Sequence, residues 1–310
     1  MTFSDINTLG AQRSPFLFIS DFKAKNIKVI FLDALEDIEF EIQDTYKSTP
    51  HNQLLEKTPI AFSKYLEKFD KIIEEIKSGN TYLLNLTAQT KIQTSLSLKE
   101  IYNYANAQFK LRYKDEFVCF SPERFVKIED DKIHTYPMKG TIDASIKDAV
   151  NKITNNAKEK AEHIMVVDLL RNDLSIQAKR VKVESFRYIT KIEAGNKELL
   201  QVSSHISGEV GSFWHDRLGD ILESLLPAGS ISGAPKKSTL EIIEEVEGYE
   251  RGYFSGVFGV YDGKTFDSAV MIRFIEKAKE GYIYKSGGGI TLDSDANLEY
   301  NELIDKVYLP

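Results

Sequence analysis

The stretch Phe125-Val126-Lys127-Ile128-Glu129-Asp130-Asp131-Lys132-Ile133-His134-Thr135-Tyr136 alternates apolar and polar side chains on either side of an Asp-Asp pair. A period of two sends successive side chains to opposite faces of a sheet, and the Asp-Asp pair suits a tight turn, so the segment reads as an antiparallel hairpin. Short strand-like runs recur outward from it: Pro15 to Ser20, Ile27 to Leu32, Tyr82 to Thr87, Val181 to Val210 as paired strands, then Tyr253 to Tyr261, Thr265 to Glu276 and Gly281 to Ser286. Helical spacing is confined to blocks between them. Leu66, Phe69, Ile72, Ile73 and Ile76 share one face of a helix that closes at Ser78-Gly79-Asn80. Further helices are predicted over Leu98 to Ala107, Asn155 to Leu174, His215 to Leu226, Pro235 to Val246 and Ala296 to Val307. Strands joined by short turns, with helices grouped between them, predict an α+β fold with mainly antiparallel sheets.

Composition fits a soluble enzyme. The 310 residues, 42% hydrophobic and 28% charged, suffice for one large domain or two closely joined ones. No apolar run approaches a membrane span, and the N-terminus lacks a basic-then-apolar leader pattern, so the expected location is the cytosol, with no membrane partner. Cys119 is the single cysteine, which excludes an intrachain disulfide and a thiolate metal cluster. A net charge of −7 without a long basic stretch argues against nucleic acid as a partner. An anionic substrate then requires a local positive pocket.

After the hairpin comes Pro137-Met138-Lys139-Gly140-Thr141. Pro137 ends the ladder and Gly140 frees the backbone beside Lys139. A lysine held at a strand end can be desolvated, which lowers its pKa and makes its amine a nucleophile, although an isolated lysine in a turn is more often simply solvated. Glu299 and Glu302 are three apart on a predicted helix, so both project from one face toward a single hydrated cation, and Glu162 lies on another helix that packing can bring near. Oxygen donors in small number suit Mg²⁺. A lone Glu-x-x-Glu is more often an acidic solvated face. The turn Gly229-Ser230-Ile231-Ser232-Gly233 runs into Pro235 and Lys236, with Pro235 expected as the first helical residue, which presents free backbone N–H groups to an anion. Arg273, expected on a strand, can grip a carboxylate bidentately, and Gly287-Gly288-Gly289 let backbone amides approach another. The five histidines show no metal-ligand spacing, and His163 and His205 read as structural.

The blocks Ser121-Pro122-Glu123-Arg124-Phe125, Pro137 to Thr141, Glu162 to Leu174, Pro227 to Lys236, Ile272-Arg273, Ser286 to Ile290 and Leu298 to Glu302 resemble, in order and spacing, the chorismate-utilising enzymes, from about Tyr65 to the C-terminus. The resemblance implies large, mainly antiparallel sheets packed face to face with helices outside. It also implies an abbreviated N-terminal strand region over 1–60 and a chorismate-binding catalytic domain over 61–310. By the same resemblance, Glu162, Glu299 and Glu302 are metal-binding, and Lys236, Arg273, Gly287, Gly288, Gly289, Ser230, Thr141 and Gln201 contact substrate. Asp168, Arg171 and Asn172 are expected to form a structural polar network.

Within the family, members that add water carry a lysine in the block corresponding to Tyr82 to Leu86, which is absent here, so isochorismate and salicylate formation are disfavoured. Anthranilate-forming members usually have alanine at the Lys139 position, whereas aminodeoxychorismate-forming members have Pro-Ile-Lys-Gly-Thr. Gln201, in place of a histidine frequent in the anthranilate branch, leans the same way. The resemblance therefore implies amination of chorismate at C4, with Lys139 as nucleophile, Glu123 as general acid or base and Mg²⁺ as cofactor. Ammonia would come from a small glutamine amidotransferase subunit. Nothing after Pro310 suggests a fused lyase. The alternatives are anthranilate synthesis, a dual-purpose enzyme, or a non-catalytic subunit that kept the fold. Two departures from the family pattern stand out: Val260, with Tyr261 one place later, where relatives have tyrosine, and Leu83 or Leu84 where they often have glutamine.

Overall fold

The computed structural model describes residues 1–43, 55–194 and 197–309, so the polar connector expected through Pro50 lies largely outside the described residues. These form two large antiparallel sheets. The nine-stranded sheet runs in the order Met138–Asp143, Lys197–Glu209, Lys132–Thr135, Arg124–Glu129, Phe266–Val270, Val257–Tyr261, Phe16–Ser20, Ile27–Phe31, with Lys179–Ala194 paired to Lys197–Glu209. The eight-stranded sheet runs Gly233–Ala234, Leu83–Gln93, Tyr282–Ile290, Phe274–Lys277, Phe117–Ser121, Phe109–Tyr113, Ile38–Ile42, with Glu56–Thr58 against Leu83–Gln93. The hairpin legible in the sequence is present, with Lys127 opposite His134 and Ile128 opposite Ile133. Its turn residues Asp130 and Asp131 adopt φ of 47° and 61°, a left-handed geometry that aspartate tolerates better than most side chains.

Alternation along single strands explains how the sheets stack. Leu17 and Ile19 pack with Phe109, Phe117, Phe258 and Phe274 between the sheets, while Phe16 and Phe18 pack on the opposite face with Phe3, Ile6, Trp214 and Leu218. Val118, Phe120, Ile275 and Tyr284 meet Leu98, Ile101 and Tyr102 of the helix Leu98–Tyr104 on the far side of the second sheet. Burying each such side chain is worth roughly 1.5–3 kcal/mol, so a one-residue slip that turned a strand over would cost several of these at once. The result is face-to-face sheets with helices outside.

One feature of the sheets creates the site. The chain leaves the second sheet at Ser121 and enters the first at Arg124, and it leaves the first at Val270 and re-enters the second at Phe274. The segment read as one strand, Thr265 to Glu276, is therefore two strands in different sheets. Arg273 lies in the break, at φ 50°, rather than within a strand. Both corners coincide in space, because Val270 N–H donates to Glu123 O at 3.1 Å and Phe120 N–H reaches the Ile272 and Arg273 carbonyls at 3.3 Å each. Side chains at such corners escape the alternation and point along the cleft where the sheets part.

The described residues among the first sixty are woven into both sheets through Phe16–Ser20, Ile27–Phe31 and Ile38–Ile42, and they open with a helix, Phe3–Ala11, that strand-like runs did not announce. Its signal was present as Thr2-x-x-Asp5, a capping box in which each residue serves the other's backbone N–H. This helix packs against Leu218–Leu225 so tightly that a Cβ on Gly219 would lie 1.8 Å from the Phe3 carbonyl oxygen. Backbone cannot yield as a side chain does. Gly219→Ala is expected to destabilise the protein by about 3 kcal/mol, at the upper end of overpacking costs, as read by chemical denaturation.

Candidate active site

The two corners, the turn Gly229–Ser232, the edge strand Met138–Asp143, the strand Tyr282–Ile290 and the helix Ala296–Asp305 enclose a cavity of about 260 Å³. Glu123, Lys139, Thr141, Gln201, Ser230, Arg273, Gly287, Gly288, Gly289 and Glu302 all line it. Residues as far apart in the chain as Glu123 and Glu302 thus meet, as the motifs implied. Glu162 reaches the cavity through Lys139, and Glu299 is buried beside Gly288 of the cavity wall.

Lys139 enters the cavity because strand pairing breaks beside it. Met138 pairs with Ser203 and Thr141 with Gln201, so the edge strand carries one residue more than its partner over this interval. The surplus forms a β-bulge, which bends the strand and re-aims a side chain. Gly140 takes the φ of +88° that the bend needs, and a Cβ there would approach the Glu159 carboxylate to 3.0 Å. The Lys139 amine donates to Glu162 at 2.9 Å. Burial works to lower its pKa, but Glu162, with Glu302 and Glu159, outweighs burial and holds it above the ordinary lysine value. The lowered pKa expected of a desolvated lysine is therefore corrected: three carboxylates from two other helices decide the sign.

Those carboxylates come as two matching pairs. Glu299 and Glu302 project from one face of the helix Ala296–Asp305 toward the bare backbone of Gly288, reaching 3.4 and 3.7 Å from where a Cβ would stand. Glu159 and Glu162 repeat the spacing on the helix Ala157–Ser175. Ammonium groups sit among them, Lys139 on Glu162 at 2.9 Å and Lys306 on Glu302 at 2.7 Å. Among the described residues, no three acidic or histidine side chains already stand together as a metal cluster. The donor chemistry is nevertheless oxygen-only and multiply anionic, which suits a hydrated Mg²⁺ more than a soft transition metal. Lys306 and Glu159 were not singled out in the sequence. Glu159 was legible as the partner of Glu162 at i,i+3.

Glu123 faces Lys139 from the first corner. Burial raises its carboxyl pKa, a rise that the Ser230 hydroxyl and the charges of Lys139 and Lys306 offset only in part. A carboxylic acid that keeps its proton unusually high in pH is suited to protonate a leaving group. From the second corner, the Arg273 guanidinium stacks over Tyr308 at 5.2 Å from the ring centre, and its Nε is buried without a hydrogen-bond partner among the described residues. An unmade bond of this kind costs about 1–3 kcal/mol, and an anion in the cavity would remove that cost.

Three readings change. Lys236 does not line the cavity. Pro235 is the N-cap rather than the first helical residue, and the Lys236 amine turns back to the Leu225 carbonyl at 3.1 Å and the half-buried Asp173 carboxylate at 3.4 Å. Asp173 also abuts Gly229, where a Cβ would come within 2.6 Å of its oxygen, so Lys236 and Asp173 brace the turn that presents Ser230. Gly287, Gly288 and Gly289 extend the strand read as ending at Ser286, paired with Thr87, Leu86 and Asn85. Neither Val260 nor Tyr261 lines the cavity, whereas Leu83 does. Asp168 and Arg171 form an exposed ion pair at 2.8 Å.

A model of the chorismate binding enzyme family matches residues 18–309. The chain belongs to that family. A protein of Haemophilus influenzae described as an uncharacterized PabA-like protein is 48% identical over 98% of this chain and 94% of its own length. Aminodeoxychorismate synthase component 1 of Escherichia coli K12 is 29% identical over 88% of this chain, which spans 61% of that enzyme. Among solved structures, anthranilate synthase component I from Streptococcus pneumoniae superposes with a TM-score of 0.67 at 25% identity, covering 85% of this chain and 60% of that one. No helix among the described residues is long and apolar enough to cross a membrane.

In a family of chorismate binding enzymes, a buried guanidinium Nε without a partner among the described residues is suited to a carboxylate-bearing ligand. Arg273→Ala is expected to raise KM for chorismate roughly 10- to 100-fold, the worth of a charged hydrogen bond, while the melting temperature stays near that of the parent. Steady-state kinetics with a parallel thermal melt checks this.

Proposed function

We propose that this chain is the chorismate-aminating component of an aminodeoxychorismate synthase, a transferase making 4-amino-4-deoxychorismate for 4-aminobenzoate and folate synthesis. The observation that carries the reading is the bulge that turns Lys139 into the cavity opposite Glu123. Direct attack of ammonia at C2 would give an ortho product. A lysine amine that bonds to C2 as the diene shifts and the C4 hydroxyl leaves produces an enzyme-bound intermediate. Ammonia then bonds to C4, the double bonds shift back and the lysine nitrogen departs from C2, so chorismate and ammonia become aminodeoxychorismate and water. One difficult substitution is split into two.

Glu123, holding its proton through burial, delivers it to the departing hydroxyl and can take one from the incoming ammonia. Lys139 reacts as the free amine, and Glu162 at 2.9 Å is the nearest acceptor for its proton. Arg273 holds a substrate carboxylate. Glu162, Glu299 and Glu302, with Glu159 beside them, would hold Mg²⁺, which when bound supplies positive charge for the ring carboxylate. In the cell, ammonia would be delivered by a glutamine amidotransferase subunit, as expected for the aminodeoxychorismate branch.

The test is product identification by mass spectrometry after incubating the purified chain with chorismate, Mg²⁺ and an ammonium salt. A para-amino, pyruvyl-retaining product is expected. An ortho-amino product with pyruvate release would assign the chain to anthranilate synthesis instead.

A further inference from the structure

His163 is fully buried beside the acidic end of the cavity, yet neither the chemistry above nor the cavity wall uses it. Its Nε2 shares a 2.7 Å hydrogen bond with Ser204 Oγ. Ser204 is an unusual residue in its strand. Opposite it, the neighbouring strand bulges: Ser185 pairs with His205 and Tyr188 with Ser203, which leaves Phe186 and Arg187 facing Ser204 alone. Arg187, at φ 52°, has its N–H satisfied by Ser204 Oγ at 2.9 Å. On the other side, Ser204 N–H donates to the Pro137 carbonyl at 2.9 Å, two residues before Lys139. Ser204 therefore ties the bulge that aims Lys139 to the helix that carries Glu162, and His163, next to Glu162, is the helix's end of the tie.

The contacts close a ring: Lys139 to Glu162, then His163 along the helix, across to Ser204, to Pro137 and back along the strand to Lys139. A single ion pair between a lysine and a glutamate permits many arrangements of two long side chains. A second tie from adjacent residues fixes the separation of their backbones, which removes most of that freedom. We infer that His163 is a positioning residue, which through Ser204 holds the Glu162 carboxylate in register with the Lys139 amine. The inference rests on the proposed use of Lys139 in the reaction, but its geometry does not depend on which product forms.

The experiment compares Ser204→Ala, Ser204→Thr and His163→Gln with the parent, in full-length chain, by the rate of chorismate consumption with ammonium and Mg²⁺. Ser204→Ala and His163→Gln are expected to lower kcat roughly 10- to 100-fold, the scale of an ångström-sized misplacement, with KM little changed. Ser204→Thr, which keeps the hydroxyl, should retain most of the parent rate. The deciding comparison is made in a Lys139→Ala background. A tie that acts through Lys139 has nothing left to position there, so adding Ser204→Ala should cost no further rate, whereas a general loss of folding would cost the same in both backgrounds. Equal losses in both would overturn the inference. A crystal structure of Ser204→Ala gives the answer independently of turnover and of product identity: Lys139 Nζ should leave hydrogen-bond reach of Glu162, and an unchanged contact would refute the tie. A product other than aminodeoxychorismate, with the kinetic pattern intact, would refute the proposed function and leave the tie standing.

Discussion

Lys139→Ala is expected to lower aminodeoxychorismate formation by roughly 10⁴- to 10⁶-fold, the range seen when members of a covalent catalytic unit are removed. The side chain fills no core gap, since it lies in the cavity between Glu162 and the backbone of Gly289. Folding should therefore survive, and chorismate should still bind through Arg273. Glu162 would lose its ammonium partner, so the variant should be measured with saturating Mg²⁺ to separate lost nucleophile from lost charge balance. A variant that makes the para-amino product at the parent rate would exclude covalent catalysis by this lysine. Trace ortho-amino product would be informative in the other direction, because it is what direct attack of ammonia at C2 gives.

Glu123→Gln should lower kcat by about 10²- to 10⁴-fold, the usual worth of a positioned general acid. The direction of its pKa shift adds a test in pH. Burial raises the carboxyl above the value of roughly 4.3 that an unfolded chain would show, with Ser230, Lys139 and Lys306 opposing. In the parent, the rate that depends on the protonated acid is present at low pH and falls as pH rises through the raised pKa. The glutamine variant should lack that dependence. Stability runs the same way: a carboxyl with a raised folded pKa contributes most below its unfolded pKa and loses that contribution as pH rises through the folded one. Near neutral pH, Glu123→Gln should therefore melt no lower than the parent, which separates a catalytic loss from an unfolded protein.

The fold was legible where one strand's alternation had a single interpretation. The 125–136 hairpin and the helix around Leu66 to Ile76 stand as read, because period two and period 3.6 each bury one face. The break at Met271-Ile272-Arg273 was not legible, since a strand that crosses between two apolar layers keeps its apolar character throughout. The N-terminal helix is only nine residues long, and its one clear sequence signal is the Thr2-x-x-Asp5 capping box, which is weaker than the strand-like run of Phe16–Ser20 that follows.

Among the site residues, those whose chemistry is set by the backbone beside them were found: Lys139 beside Gly140, and Glu299 with Glu302 at helical spacing. Those decided by distant charges were not. Lys236 follows a glycine-rich turn as an anion-binding residue would, but Asp173, more than sixty residues earlier, takes its amine. The sign of the Lys139 pKa shift likewise depends on Glu159, Glu162 and Glu302, whose approach only the packed helices reveal.

The most direct test of covalent catalysis by Lys139 is peptide mass analysis after the purified chain is mixed with chorismate and Mg²⁺ in the absence of ammonia, then quenched by acid. An adduct of chorismate less water, located on the Lys139 peptide, absent from Lys139→Ala and lost when ammonium is added as aminodeoxychorismate forms, is the predicted result. Aminodeoxychorismate formed at full rate by a chain that never carries the adduct would contradict it.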